Sequence, residues 1–303
     1  MNIRKEREEY RKQGKGYYHL CTDGLSGGNI FNSIAQYAFG MILMGLVCIK
    51  FNIKMYVFTL MPNHIHMIVS GTGDNCVSAF DYMKRKLSAR LKRDGFSPLP
   101  EDYWFNLTPI VTKEQMKTEI IYVLRNPLEK NLNIVGGYVW SSAWLYYKGF
   151  SDLISSGAMK RPSTRELRKL IGGEEDIPKE WMFHPYLGLH PNCFIDKSLV
   201  LKLFPEAKDL QTALVKDYES HFQIASRLGE LCEFNEMEQK RIVSQTLEKR
   251  FENRELNALS EEEKGKLAII LSREFGFTSY QISTRIYLKE RVVRQLLNSK
   301  ELR

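Results

Sequence analysis

The chain is expected to fold as an α+β domain, an antiparallel or mixed sheet with helices packed on it, followed by an all-helical C-terminal region. Three observations predict this. Strand-like and helix-like segments alternate through the first 150 residues, without βαβ-length spacing throughout. Composition shifts after Gly149, where residues 151–162 are rich in small side chains and read as a linker or hinge. Beyond that, the pattern of apolar residues is mostly helical. The expected divisions are therefore 1–150, 151–255 and 256–303.

Within the first division, Gly16–Thr22 reads as a strand, followed by a glycine-rich turn over residues 23–28. Residues 32–48 read as an apolar helix. The longest apolar run, residues 38–49, contains Gly40 and Gly45 and falls short of a membrane span, which takes roughly 18 residues. Residues 49–60 and 64–70 read as two strands forming a hairpin around Met61-Pro62-Asn63. Residues 77–93 form a basic helix, 102–107 a short aromatic strand, and 113–131 a further helix. Thr112 is the candidate N-cap of this last helix, with Gln115 three residues on in a capping-box pattern. Residues 172–178 mark another loop, and the stretch 165–255 is helical without further detail. Finally, Ser260 caps a helix to about Phe275, Gly276 supplies a turn, and Ser279–Ile286 and residues 290–297 complete a triplet.

Two segments carry chemistry. In Met61-Pro62-Asn63-His64-Ile65-His66-Met67-Ile68-Val69, two histidines stand one residue apart in an apolar strand-like run. Strand side chains alternate, so His64 and His66 project from one face, a geometry that suits a divalent metal. His-apolar-His also arises by chance. In the helix at 113–131, Tyr122 and Asn126 are four residues apart and share a face, so a hydroxyl and an amide oxygen reach a common site. An ordinary amphipathic helix with a half-buried tyrosine accounts for the same spacing. Pro127, directly after Asn126, is expected to break or kink the helix there.

Together these segments resemble the single-strand DNA transposases of the HUH type with one catalytic tyrosine, and within them the REP-associated tyrosine transposases. The matching residues are MPNHIHMIV over 61–69, YVLRNPLEKNL over 122–132 and YVWSSAWLYY over 138–147. Tyr18-His19-Leu20 and Asn29-Ile30-Phe31 look like the family's first strand and following turn. The resemblance covers about residues 14–149. One departure is Leu124, where the family often has histidine; at two residues from Tyr122 it points away from the Tyr/Asn face.

The resemblance implies a ferredoxin-like, RNA-recognition-like antiparallel core. It implies His64, His66 and Asn126 as ligands of one Mg²⁺ or Mn²⁺, and Tyr122 as the nucleophile. A tyrosine hydroxyl has an ordinary pKa of about 10, so attack at neutral pH needs a nearby positive charge or proton acceptor. The implied substrate is single-stranded DNA, often beside a hairpin, cleaved and rejoined through a 5′-phosphotyrosine by a monomer or a homodimer.

Charge agrees with a nucleic-acid partner. The net charge is +8, and residues 1–150 hold seven of those charges, with 19 Lys and Arg against 12 Asp and Glu. The basic helix concentrates Lys84, Arg85, Lys86, Arg90, Lys92 and Arg93, which would neutralise phosphates; a solvated face is the alternative. Tyr82, Tyr103, Trp104 and Phe105 offer stacking surfaces or, more simply, core. In the C-terminal triplet, which resembles a helix-turn-helix, Arg285, Arg291 and Arg294 are candidate DNA contacts; a plain helical bundle is the other reading.

Five scattered cysteines with no CxxC pair read as reduced thiols rather than a disulfide framework or zinc cluster. His184, His190 and Cys193, in a proline-bearing stretch, offer zinc-ligand chemistry, but with irregular spacing and no fourth ligand nearby they read as a packed loop. The charged N-terminus lacks the apolar segment of a signal peptide, which with the short apolar runs leads to the expectation of a cytoplasmic protein without a membrane partner. The expected function is a metal-dependent single-strand transposase. A domesticated HUH endonuclease acting on chromosomal repeats, or a non-catalytic DNA-binding regulator, stays open beside it.

Overall fold

Four strands, β1 (Gly16–Thr22), β2 (Lys54–Leu60), β3 (Ile65–Gly71) and β4 (Phe105–Ile110), form an antiparallel sheet in the order β2-β3-β1-β4. The computed structural model describes residues 3–25, 28–129, 137–146, 159–216, 218–230, 232 and 234–298 of the chain. Helix α1 (Ile3–Arg11) precedes the sheet, α2 (Ile34–Lys50) joins β1 to β2, α3 (Gly73–Arg93) joins β3 to β4, and α4 (Lys113–Glu129) follows β4. The architecture is α+β. Two compact units make up the chain, Met1–Val215 and Lys216–Arg303.

Register sorts the strand residues into two faces, because directly opposed residues share one. Phe58, Met67, Leu20 and Leu107 form a row across all four strands, and the next row is Thr59, His66, Cys21 and Asn106. The apolar row faces α2 and α3: Phe80 of α3 stacks on Phe105 at 4.4 Å, and a Cβ on Gly40 of α2 would press on Leu60 at 2.9 Å. The second row faces α4.

Several boundaries differ from the sequence reading for local reasons. Residues 49–50 continue α2 instead of opening a strand; Asn52, at φ 48°, turns the chain into β2. The helix α3 begins four residues earlier than expected, capped by Thr72, whose hydroxyl accepts from Asn75 N. Gly73 is not a breaker there: it lets α1 cross, since a Cβ would collide with the Tyr10 carbonyl. The polar helix α1 went unread because none of its residues is buried. It docks through a two-pronged Arg7–Asp81 ion pair (2.5 and 2.9 Å) and an Arg11–Asp74 pair. The strand β4 runs on to Ile110 through Pro109, which an edge strand tolerates. At the other edge, β2 is covered by residues 138–146, through Leu60 N to Trp140 O and Ser142 N to Phe58 O, both 2.9 Å.

The rest of the first unit contains α5 (Thr164–Ile171), α6 (Ser198–Leu203) and α7 (Ala207–Lys216), but it is not all-helical as expected. Two short strands, β5 (Phe183–His184) and β6 (Gly188–Leu189), form a ladder. Pro185 and Gly188, the latter at φ 73°, suit a turn, and His184 Nδ1 accepts from the Tyr186 and Leu187 amides to close it. Two residues per strand are too few to show a period. With His190 Nδ1 accepting from Asn192 N, and Cys193 Sγ from Met182 N, this is the packed loop expected there. Residues 151–158 of the linker, 130–132 after α4 and 147 lie outside the described residues.

The second unit contains α8 (Tyr218–Leu228), α9 (Glu236–Arg250), α10 (Glu261–Phe275), α11 (Ser279–Ile286) and α12 (Glu290–Asn298), around a core that includes Tyr218, Ile242, Leu267, Leu271, Ile282, Ile286 and Val293. Reciprocal capping boxes open α9 (Asn235, Glu238), α10 (Ser260, Glu263) and α11 (Thr278, Gln281). Gly276, at φ 67°, ends α10 against the Phe222 ring, where a side chain would not fit. No helix among the described residues is long and apolar enough to cross a membrane.

Candidate active site

The site forms where α4 lies on the polar face of the sheet. Thr112 Oγ1 accepts from Gln115 N (3.0 Å) and opens α4, while Gln115 Oε1 accepts from Val111 N, one residue before the partner expected of a capping box. Glu119, Tyr122 and Asn126 follow at intervals of three and four and share a face.

Pro127 does not end α4, which continues to Glu129. Proline has no N–H to give to the carbonyl four residues back, which here is Val123. The hydroxyl of Thr59 supplies the missing donor, at 2.7 Å from Val123 O. This bond pins the turn that carries Tyr122 and Asn126 to the C-terminal end of β2.

His66, in β3, is fully buried, and its ring stands edge-on to Tyr122 with centroids 5.4 Å apart. His64 sits in the turn just before β3, where its carbonyl accepts from Met61 N. Its ring lies 4.7 Å from that of His66, nearly perpendicular. His64 Nδ1 is 2.8 Å from Asn63 Oδ1; an amide oxygen only accepts, so Nδ1 donates and the lone pair of a neutral His64 sits on Nε2. Asn126 is buried, and its side-chain nitrogen has no hydrogen-bond partner among the described residues. A buried amide left so is costly unless something else meets it. An imidazole nitrogen and an amide oxygen are each donors that a divalent cation accepts.

Two further residues belong to this cluster and were not assigned from sequence. His19 of β1 lies diagonally across from His66, its Nε2 3.2 Å from His66 Nδ1, and its Nδ1 is 2.8 Å from Glu119 Oε2. The rings of His19 and Tyr122 are 5.9 Å apart. The sequence signals were available: a histidine two residues before Cys21 in an apolar strand, and a carboxylate on the tyrosine face of α4.

The sequence-predicted cations are distributed differently. Lys84 Nζ donates to the Glu101 and Tyr103 carbonyls, and its burial lowers its pKa. Lys86 pairs with Glu175 at 3.1 Å and Arg90 with Asp94 at 2.6 Å. Arg85 lies over the Tyr82 ring, and Arg93 donates to Lys169 O. In the second unit Arg285 donates to Gln239 Oε1 and Arg294 pairs with Glu290, whereas Arg291 is exposed. Tyr82, Tyr103, Trp104 and Phe105 are all core, at most 4% exposed.

No family model matches the chain, and no curated protein matches it. Among solved structures, that of a REP-associated tyrosine transposase bound to a REP hairpin is similar over 46% of this chain and 82% of its own, with 14% identity and a TM-score of 0.36. A likeness of that size bears on neither activity nor substrate.

Proposed function

We propose that the chain is a metal-dependent enzyme that cleaves and rejoins single-stranded DNA, with Tyr122 as its nucleophile. The observation that carries this reading is the meeting of His64, His66 and Tyr122 rings, 4.7 and 5.4 Å apart in sequence order, beneath one helix. The motif resemblance supplies the reaction class and the hairpin-bearing substrate. The order β1-α2-β2-β3-α3-β4, with both connecting helices on one face, supports the ferredoxin-like reading of the core.

His64, His66 and Asn126 would hold a Mg²⁺ or Mn²⁺ ion, which when bound would polarise the scissile phosphate. Tyr122 Oη bonds to phosphorus as the bond to the 3′ oxygen breaks, and the tyrosine proton passes, in net, to that oxygen. The products are a 5′-phosphotyrosine and a free 3′-OH. A second 3′-OH reverses the exchange, so strands rejoin without a nucleotide cofactor. Because Tyr122 is 1% exposed, the reading requires its cover to move before a phosphate reaches it.

That burial also favours a second reading, a DNA-binding regulator that uses the α10-α11-α12 triplet as a helix-turn-helix with α12 presenting Arg291. A denaturing gel of labelled single-stranded hairpins from the flanks of the gene separates the two. Wild type with Mn²⁺ is expected to yield a covalent adduct that EDTA and Tyr122→Phe both abolish. Tight binding with no adduct on any flank would favour the regulator.

A further inference from the structure

We infer that Glu119 and His19 act as a relay that fixes the tautomer of His66 and so turns its Nε2 lone pair toward a cation, an inference that rests on His66 being a ligand. His19 and Glu119 are 1% and 0% exposed, so neither can exchange its partner for water. An ionised carboxylate accepts and never donates, so the hydrogen on the 2.8 Å contact belongs to His19 Nδ1. The other nitrogen of a neutral His19 is then an acceptor. The hydrogen between the two rings, at 3.2 Å, must therefore come from His66 Nδ1. That leaves the lone pair of His66 on Nε2.

His64 reaches the same state by a shorter route, its Nδ1 donating to Asn63 Oδ1. Two imidazoles are thus set to present the same nitrogen, each through a hydrogen bond on the opposite side of its ring, as ligating histidines generally require. The reverse wiring, with an imidazolium His19 donating to His66, would place the hydrogen of a neutral His66 on Nε2 and close it to a cation. Charge balance opposes it. His64, His66 and Asn126 are neutral donors, so the Glu119 carboxylate, linked to His66 through His19, offsets part of a divalent charge, which an imidazolium would cancel.

Side-chain ¹⁵N NMR of the full-length protein in the presence of diamagnetic Mg²⁺ tests the relay directly. His19 and His66 are both expected as neutral Nδ1–H tautomers. In Glu119→Gln the amide can donate as well as accept, so His66 is expected to become a mixture, and Mn²⁺ affinity read by EPR is expected to fall about 10- to 100-fold. A wild-type His66 protonated on Nε2 overturns the relay, as does an unchanged tautomer and Mn²⁺ affinity in Glu119→Gln. If wild type binds no Mn²⁺, the ligand reading fails, and the His66 tautomer alone still decides the relay.

Discussion

Two adjacent rows of the sheet are built by the same four strands and differ in kind. Phe58, Met67, Leu20 and Leu107 pack under α2 and α3, while their immediate neighbours Thr59, His66, Cys21 and Asn106 face α4. Apolar contact is non-directional, so the first row needs only shape and volume. A buried polar group needs a particular partner at a particular angle. Two members of the second row are accordingly placed by single bonds, Thr59 by Val123 and His66 by His19, which in turn meets Glu119. One row supplies stability, the other places groups.

The largest effect should come from breaking the apolar row. Phe58→Ala removes a fully buried ring and should cost about 3–5 kcal/mol in denaturant unfolding. The isosteric Thr59→Val removes the only bond that replaces the missing Pro127 N–H among the described residues. Leaving the Val123 carbonyl unmet should cost about 1–3 kcal/mol. The more telling expectation is local: amide exchange should quicken in the last two turns of α4 in Thr59→Val and not selectively in Phe58→Ala. Equal, uniform losses in both would erase the distinction between the rows.

Outside the apolar row, α2 and α3 are themselves tied by Glu175, a carboxylate 7% exposed that meets Lys50 (2.8 Å), Tyr82 (2.6 Å) and Lys86 (3.1 Å). Burial pushes its pKa up, but the hydrogen bonds from Lys50, Tyr82 and Lys86 outweigh this and hold it down at about 2. Its pKa is thus depressed on folding, so its stabilisation is complete above the ordinary carboxylate range and fades as pH falls toward 2. With Lys50 partly exposed, this contributes about 1–2 kcal/mol at neutral pH. Unfolding followed from pH 7 to 2 should show wild type losing that margin over Glu175→Gln below about pH 4.5. Parallel curves would mean that the cluster adds nothing.

How much of this was legible in the sequence follows the same division. The span of β1 and that of α11 read directly, because each combines a clear pattern with clean ends. His64, His66, Tyr122 and Asn126 were legible as two short motifs. The contacts of His19 and Glu119 were not, since the first depends on the β1–β3 register and the second on how α4 seats over it, with 100 residues between the pair. For Lys86 the obstacle was similar: nothing near it in the chain announces Glu175. The ladder β5–β6 escaped for want of length, and α1 for want of an apolar face.

The smallest expected effect concerns cations, and it extends the rule that partnered groups hold structure while unpartnered ones remain for ligands. Lys86 is engaged by Glu175, and its side chain is 17% exposed; Arg291, on α12, is exposed and makes no ion pair or hydrogen bond among the described residues. If DNA binds the second unit through phosphate contacts, each such contact contributes close to one to the slope of log affinity against log salt. Arg291→Ala should reduce that slope by about one without changing unfolding, whereas Lys86→Ala should leave the slope alone and weaken the fold. The reverse, a slope carried by Lys86 and indifferent to Arg291, would place the DNA footprint on α3 and show that an internal ion pair there yields to phosphate.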